Sequence, residues 1–270
     1  MGQTHRDPDL RDLTLHIGQE DRLLERAGHT SASTDLVLAP VQLHRRNLQR
    51  RLREDRLPKD AFEFTDPADV ARRVLRAVGE STDALDRIDR LSVLRSILLN
   101  EDGKASPSDR PRIPNVTTDP KTVEQLRSEV ESVTNYHPER MDSLRGTADE
   151  LSVPIDADST ALIDLAVGIE RALRCRSSRA VSNVQLLRRA TRRIGTTDGS
   201  AWNDAYPDIE CVSLVGVSSV SATQADVLRV LLDETNVGVH VHFRRGTGDY
   251  LAERIPDLLD VADPGAVIFE

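Results

Sequence analysis

The chain has 270 residues, 45 acidic against 36 basic, a net charge of −9 and 38% hydrophobic residues, which suits one large domain or two small ones. No run approaches the ~18 apolar residues of a membrane span, and the N-terminal MGQTHRDPDLRD has no apolar stretch of the secretory kind. Cys175 and Cys211 are the only cysteines, which excludes a disulfide scaffold or a Cys-rich zinc site and makes the cytoplasm the expected address.

The N-terminal third alternates strand and helix. Leu13–Ile17 reads as a short strand ending at Gly18, and a helix is expected over Glu20–Arg26. Asp35–Pro40 is an apolar run closed by proline, as in a buried parallel strand. A helix is predicted over Val41–Glu54, with Leu43, Leu48 and Leu52 on or near one face. Ala61–Phe64 is a third strand. Thr65-Asp66-Pro67 is a cap followed by proline, and it starts a helix over about Ala68–Val78 that ends at Gly79.

Between Asp83 and Ile194 only helices and loops are expected. Leu85–Leu99 is amphipathic, and Asn100–Pro120 is a polar loop with prolines at 107, 111, 114 and 120. Four further helices are predicted over Thr122–Val133, Pro138–Leu151, Ser159–Cys175 and Ala180–Ile194, with Ser182–Gln185 as a capping box. Alternation then returns. Glu210–Val217 is a buried strand, Thr223–Glu234 a helix, Val237–Phe243 a strictly alternating strand, Asp249–Val261 a helix and Ala266–Phe269 a last strand. The pattern predicts an α/β parallel sheet built from both chain ends (1–82 and 195–270), with residues 83–194 as a helical insertion.

Chemistry is sought first at strand ends, where α/β folds bind ligands. After Ile17 the chain reads Gly18-Gln19-Glu20-Asp21-Arg22. The second glycine, lysine and Ser/Thr of a phosphate loop are missing, and two carboxylates stand where phosphates would lie. The strand Val212–Val215 ends in Gly216-Val217-Ser218-Ser219, without the acidic pair that holds magnesium. No ATP hydrolysis and no cofactor are therefore expected. His240 and His242 share a strand face and could join a third metal ligand, but alternation also places such a pair on the polar face of any half-buried strand. No GxSxG elbow is present. Glu129, Glu131, Glu139, Asp142 and Glu150 read as solvated helix faces.

Arginine dominates the basic residues. Lys59, Lys104 and Lys121 are the only lysines. Together with the acid surplus this suits high salt, where acidity serves solubility. Arg45, Arg46, Arg50, Arg51 and Arg53 lie in one predicted helix. Arg188, Arg189, Arg192 and Arg193 lie in another, and Arg244 and Arg245 follow a strand. Guanidinium forks grip phosphates. Two accounts are open for these clusters, a nucleic-acid footprint or pairing with acids of neighbouring helices. Arg46, Arg50 and Arg53, at i, i+4 and i+7, share a face. Arg188 and Arg192 are also one turn apart. These five are the candidate contacts for single-stranded DNA.

The order of pieces resembles a known group. Leu36–Pro40 followed by His44–Leu52 resembles the strand and helix after the phosphate loop of superfamily 1, UvrD-related helicases and their AddB/RecC-like relatives. Phe62–Pro67 looks like their next strand, and Ser213–Leu228 is similar to the hydrophobic strand, glycine, small polar residues and helix of AddB/RecC-like subunits. Val237–Phe243 matches the strand that follows. The resemblance implies a P-loop-helicase-like fold whose helical middle sits where these proteins insert a DNA-contacting subdomain. With the motor residues absent, it implies a non-catalytic module of DNA repair or recombination. Such a module binds single-stranded DNA or scaffolds a helicase or nuclease partner, away from membranes. The rival reading is a protein-interaction module that binds no nucleic acid.

Overall fold

The computed structural model describes residues 12–18, 21–29, 33–39, 42–58, 60–99, 119–150, 159–246 and 248–269. Most of the predicted loop over residues 100–120 lies outside them. Two compact units emerge: residues 1–80, 187–220 and 224–264 form the first, and residues 81–186, 221–223 and 265–270 form the second.

The first unit is a five-stranded sheet, parallel throughout, in the order β1-β5-β4-β2-β3. Its strands are β1 (Leu13–Ile17), β2 (Asp35–Leu38), β3 (Phe62–Thr65), β4 (Cys211–Val217) and β5 (Gly238–Phe243). β2 and the middle of β4 are buried on both faces, the expected state of apolar runs covered by crossover helices. Val212 pairs with Val239 and Val37 with Ser213, so both chain ends enter one sheet. No described residue between 83 and 194 joins it; Ala84 and Ala180 make only an isolated bridge to each other.

Crossover helices cover both faces. α1 (Asp21–His29) and α2 (Gln42–Glu54) cover one face. Leu23, Leu24 and Ala27 of α1, with Leu48 and Leu52 of α2, pack on Val37, Phe62 and Val215. Removing one of these buried leucines' side chains would cost about 2–5 kcal/mol. Leu43, expected near that stripe, is instead 64% exposed. Five residues at 100° each carry it about 140° from Leu48. On the other face α3 (Pro67–Ala77), α8 (Asn183–Thr196) and α10 (Ala222–Glu234) bring Val70, Leu187 and Val227 around Leu38 and Leu214. α3 starts as its sequence dictates: the Asp66 carboxylate accepts from the Asp69 N–H at 2.9 Å, and Pro67 sits in the first turn. α9 (Ser200–Ala205), which the sequence pattern did not reveal, packs on α3 through Tyr206, whose ring lies under Arg73 at 4.1 Å. α11 (Gly248–Leu259) follows β5.

The second unit is helical: α4 (Arg87–Leu99), α5 (Pro120–Thr134), α6 (Pro138–Glu150) and α7 (Ser159–Arg176). Asp119 caps α5, accepting from the Thr122 N–H at 3.0 Å, and Asn135 ends it in the left-handed region at φ 52°. Ser182 caps the next helix, accepting from the Gln185 N–H at 3.1 Å, while the Gln185 side chain reaches back to the Val181 N–H. Ala266–Phe269 is not a sheet strand. It belongs to this unit, where the Ile268 N–H donates to the Tyr136 carbonyl at 3.1 Å and Phe269 meets the Tyr136 ring edge-on. Its apolar side chains complete a cluster with Val130, Met141 and Ile163, so their burial needs no strand partner.

Glu131 is likewise a correction. It is 2% exposed rather than on a solvated face. It joins Glu124 and Glu170 around Arg127, whereas Glu129 is exposed and accepts from Gln125 at 2.9 Å.

Candidate nucleic-acid interface

α2 leaves the sheet with Leu48 and Leu52 inward and three of its five arginines outward. Arg46, Arg50 and Arg53 are all exposed. Arg46 and Arg53 have no acidic partner among the described residues. Arg50 meets Glu54 at 3.6 Å, with both side chains more than half exposed. Such a pair is worth roughly 0–1 kcal/mol and yields easily to a phosphate. Arg46 and Arg53 are separated by about 10 Å of helix rise, so the row presents charge along its whole length. Arg45 instead leans over the Phe64 ring at 6.0 Å.

The second predicted row divides differently. Arg188 is buried, 3% exposed, and so cannot present its charge to a nucleic-acid backbone, whereas Arg192 one turn on is exposed. Arg188 shares the inward face of α8 with Thr191 and Leu187, and a guanidinium's long apolar stem permits that burial. Arg189 meets Glu80 at 3.0 Å and Arg193 also pairs with it. Burial raises the Glu80 pKa, but the hydrogen bonds from Arg189 and Arg193 outweigh this and lower it.

The carboxyl edge of the sheet is occupied by the chain's own groups. Gly18, at φ +63°, gives its N–H to the Phe243 carbonyl at 2.9 Å, so that amide is not offered to an anion. Arg245 lies directly on it: a Cβ there would come within 2.4 Å of Arg245 Cγ. Gly216, at φ +70°, marks an irregularity in the β4–β5 register, and the His44 ring of α2 takes the space over it, 2.6 Å from an added Cβ. His44 was not singled out in the sequence; its position in the first turn after β2 was the available signal.

Under α1 the sheet carries three histidines. His16 and His242 stack with centroids 4.2 Å apart, and His16 Nε2 lies 3.0 Å from His240 Nδ1. The rings stack instead of converging on a point, and no group of three or more His, Cys, Asp or Glu among the described residues is arranged to hold a metal ion. His242 is buried, so this face is not the polar, solvated one expected for the pair. Arg26 lies beside them, 3.4 Å from Asp35 and 2.5 Å from the Ser213 hydroxyl. Burial pushes His240 down to about 4, helped by the charges of Arg26 and His16. Burial also lowers His16, with Arg26 and Arg22 adding to it. Burial raises the Cys211 thiol to about 12, with Asp35 contributing, which makes it a poor nucleophile.

A pH dependence follows. The folded chain holds His16 and His240 neutral, whereas the unfolded chain protonates them near pH 6.5, so stability is full above that value and falls as pH drops toward 4. The expected loss is roughly 1–2 kcal/mol, allowing for the water that reaches His240. Urea midpoints at pH 7.5 and 4.5 should differ accordingly, and His240→Asn should shrink the difference. An unchanged difference would refute the assignment.

A five-stranded parallel sheet whose last strand lies between β1 and β4, covered by helices, defines a helicase-like α/β protein. The whole chain, residues 1–270, matches the family described as halobacterial UvrD-like protein, and the chain belongs to that family. No curated protein matches the sequence. No helix among the described residues is long and apolar enough to cross a membrane.

Proposed function

We propose that this chain is a non-catalytic helicase-like module that binds single-stranded DNA without base preference, in DNA repair or recombination, beside an active helicase or nuclease. One observation carries the reading: the arginine face of α2 is exposed, and Arg46 and Arg53 stand without an acidic partner among the described residues. In a chain of net charge −9, unneutralised guanidinium groups in a row need a reason. A phosphate backbone supplies it, through charge-assisted forks and counterion release. Arg192 can extend the contact; Arg188 is withdrawn from it. The closer kinship proposed is with AddB/RecC-like subunits, supported by the run Ser213–Leu228, in which strand, glycine, small polar residues and helix follow in their order. With no lysine or Ser/Thr after Gly18 and no carboxylate after Val215, the module turns over no ATP.

The triple variant Arg46/Arg50/Arg53→Gln tests the DNA contact. Its affinity for a fluorescent oligothymidylate should fall, and the slope of log affinity against log salt should flatten by up to ~2 units, near 0.7 per lost phosphate contact. Equal binding by wild type and variant would overturn the reading and leave this face to a protein partner.

A further inference from the structure

The carboxyl edge of the sheet carries a second group of arginines. Arg22 stands in the first turn of α1, just past the end of β1, and Arg244 and Arg245 follow the end of β5. β1 and β5 are neighbours in the sheet, with Ile17 paired to Phe243. All three arginines are exposed, and none has an acidic partner among the described residues. Three guanidinium groups without an acidic partner among the described residues thus stand at the edge where α/β sheets take their ligands.

The backbone there is committed elsewhere. The Gly18 N–H goes to the Phe243 carbonyl and the Arg244 N–H to the Val217 carbonyl, each at 2.9 Å. These two amides are therefore closed to an anion, which leaves the neighbouring guanidinium groups to hold it there. Gly18 serves that arrangement. Having no side chain, it lets the Arg245 stem lie flat on its Cα, with Nε 2.9 Å from where a Cβ would stand. A stem held down on backbone loses less freedom when its guanidinium takes a phosphate.

We infer that Arg22, Arg244 and Arg245 form a second phosphate-binding patch, which holds the backbone of the same single strand that lies along α2. This rests on the DNA reading above and extends it. β1 and β2 are three strand spacings apart in the sheet, roughly 14 Å. α2 starts at the same edge, after β2, with His44 seated over Gly216 of β4. Charge therefore runs along one edge from Arg22 and Arg245 to Arg46. The ligand is a phosphodiester chain and not a free nucleotide, because the Gly18 amide is already taken and the sequence after it lacks the second glycine, lysine and Ser/Thr of a phosphate loop.

The test uses the full chain and the variant Arg22/Arg244/Arg245→Gln beside the α2 triple variant, all within the salt range where circular dichroism reports the native fold. With a 20-nucleotide oligothymidylate as probe, the edge variant should flatten the salt slope by about 2 units, and combining both triples should flatten it further. Inorganic tripolyphosphate at millimolar concentration should not compete at the wild-type edge. If the α2 variant loses affinity while the edge variant keeps the wild-type slope, this inference falls and the DNA reading stands. If wild type binds no oligonucleotide, both fall. If tripolyphosphate displaces the oligonucleotide from wild type but not from the edge variant, the patch takes free polyphosphate and the inference is overturned.

Discussion

Arg127→Met is expected to cost the helical unit about 3–5 kcal/mol. Arg127 is 1% exposed on α5. Its Nε donates to Glu124 at 2.9 Å, and one terminal nitrogen donates to both Glu131 at 3.1 Å and Glu170 at 2.8 Å. Arg90 on α4 also binds Glu124 at 2.5 Å, and Arg174 binds Glu170 at 2.9 Å. Three carboxylates and three guanidinium groups thus balance one another between α4, α5 and α7. Burial favours the neutral form of Glu124, but the hydrogen bonds from Arg127 and Arg90 reverse the balance and lower its pKa. Without Arg127, three buried carboxylates face two arginines. The deficit should persist at molar potassium chloride, because salt screens buried pairs little. It should shrink toward acidic pH, because Glu124 loses one of the two guanidinium groups that keep its carboxyl charged, and protonation then relieves the unmatched charge. Urea unfolding and hydrogen exchange at α5 and α7 amides would read it. Replacing Arg127, Glu131 and Glu170 together by Met and Leu should restore most of the loss, since a full apolar substitution leaves fewer unmatched charges. A single variant with wild-type stability would show that the network contributes nothing.

Gly199→Ala is expected to cost the sheet unit on the order of 3–5 kcal/mol, from a strained backbone and an overpacked site together. Gly199 closes the turn after α8 and opens α9, at φ +77°. Its N–H donates to the Ile194 carbonyl at 2.9 Å, and its own carbonyl accepts from Trp202 at 3.0 Å. A Cβ would stand 2.0 Å from the Glu234 carbonyl oxygen, which is backbone and cannot swing aside. Gly79 provides the control. It has a similar φ of +71° but nothing within 4 Å of an added Cβ. Gly79→Ala should therefore lose only about 1 kcal/mol. Thermal midpoints should separate the two by several degrees; equal shifts would show that α10 yields to the added methyl.

The local pieces are legible in the chain alone. Apolar runs such as Asp35–Leu38 and Cys211–Val217 had to be buried on both faces, because no polar alternation gives either strand a side for water. Asp66-Pro67 and Ser182–Gln185 marked helix starts, because their side chains satisfy amides that the helix leaves open, whereas the Asp119 cap of α5 lay within the run read as a polar loop. The missing lysine and carboxylates were visible as well, since a motif is a matter of neighbours in the chain. So was the arginine row of α2, whose spacing of four and three residues places it on one face without help from any other element.

Tertiary structure alone decided which of several similar residues meet water and which meet one another. Nothing local distinguishes Arg188 from Arg192, yet the packing of α8 buries the first and exposes the second. Glu131 carries the same charge as Glu129, but the partner that makes its burial affordable, Arg127, must itself reach Glu170 of α7. Ala266–Phe269 has strand-like residues, and its docking on Tyr136 depends on a surface made by residues 130 positions earlier in the chain. The strand order that sets β5 between β1 and β4 brings His16 to His242 and Arg245 to Gly18. Each of these contacts spans more than 220 residues, and periodicity reports only the face a residue takes on its own element, never the element that will cover it.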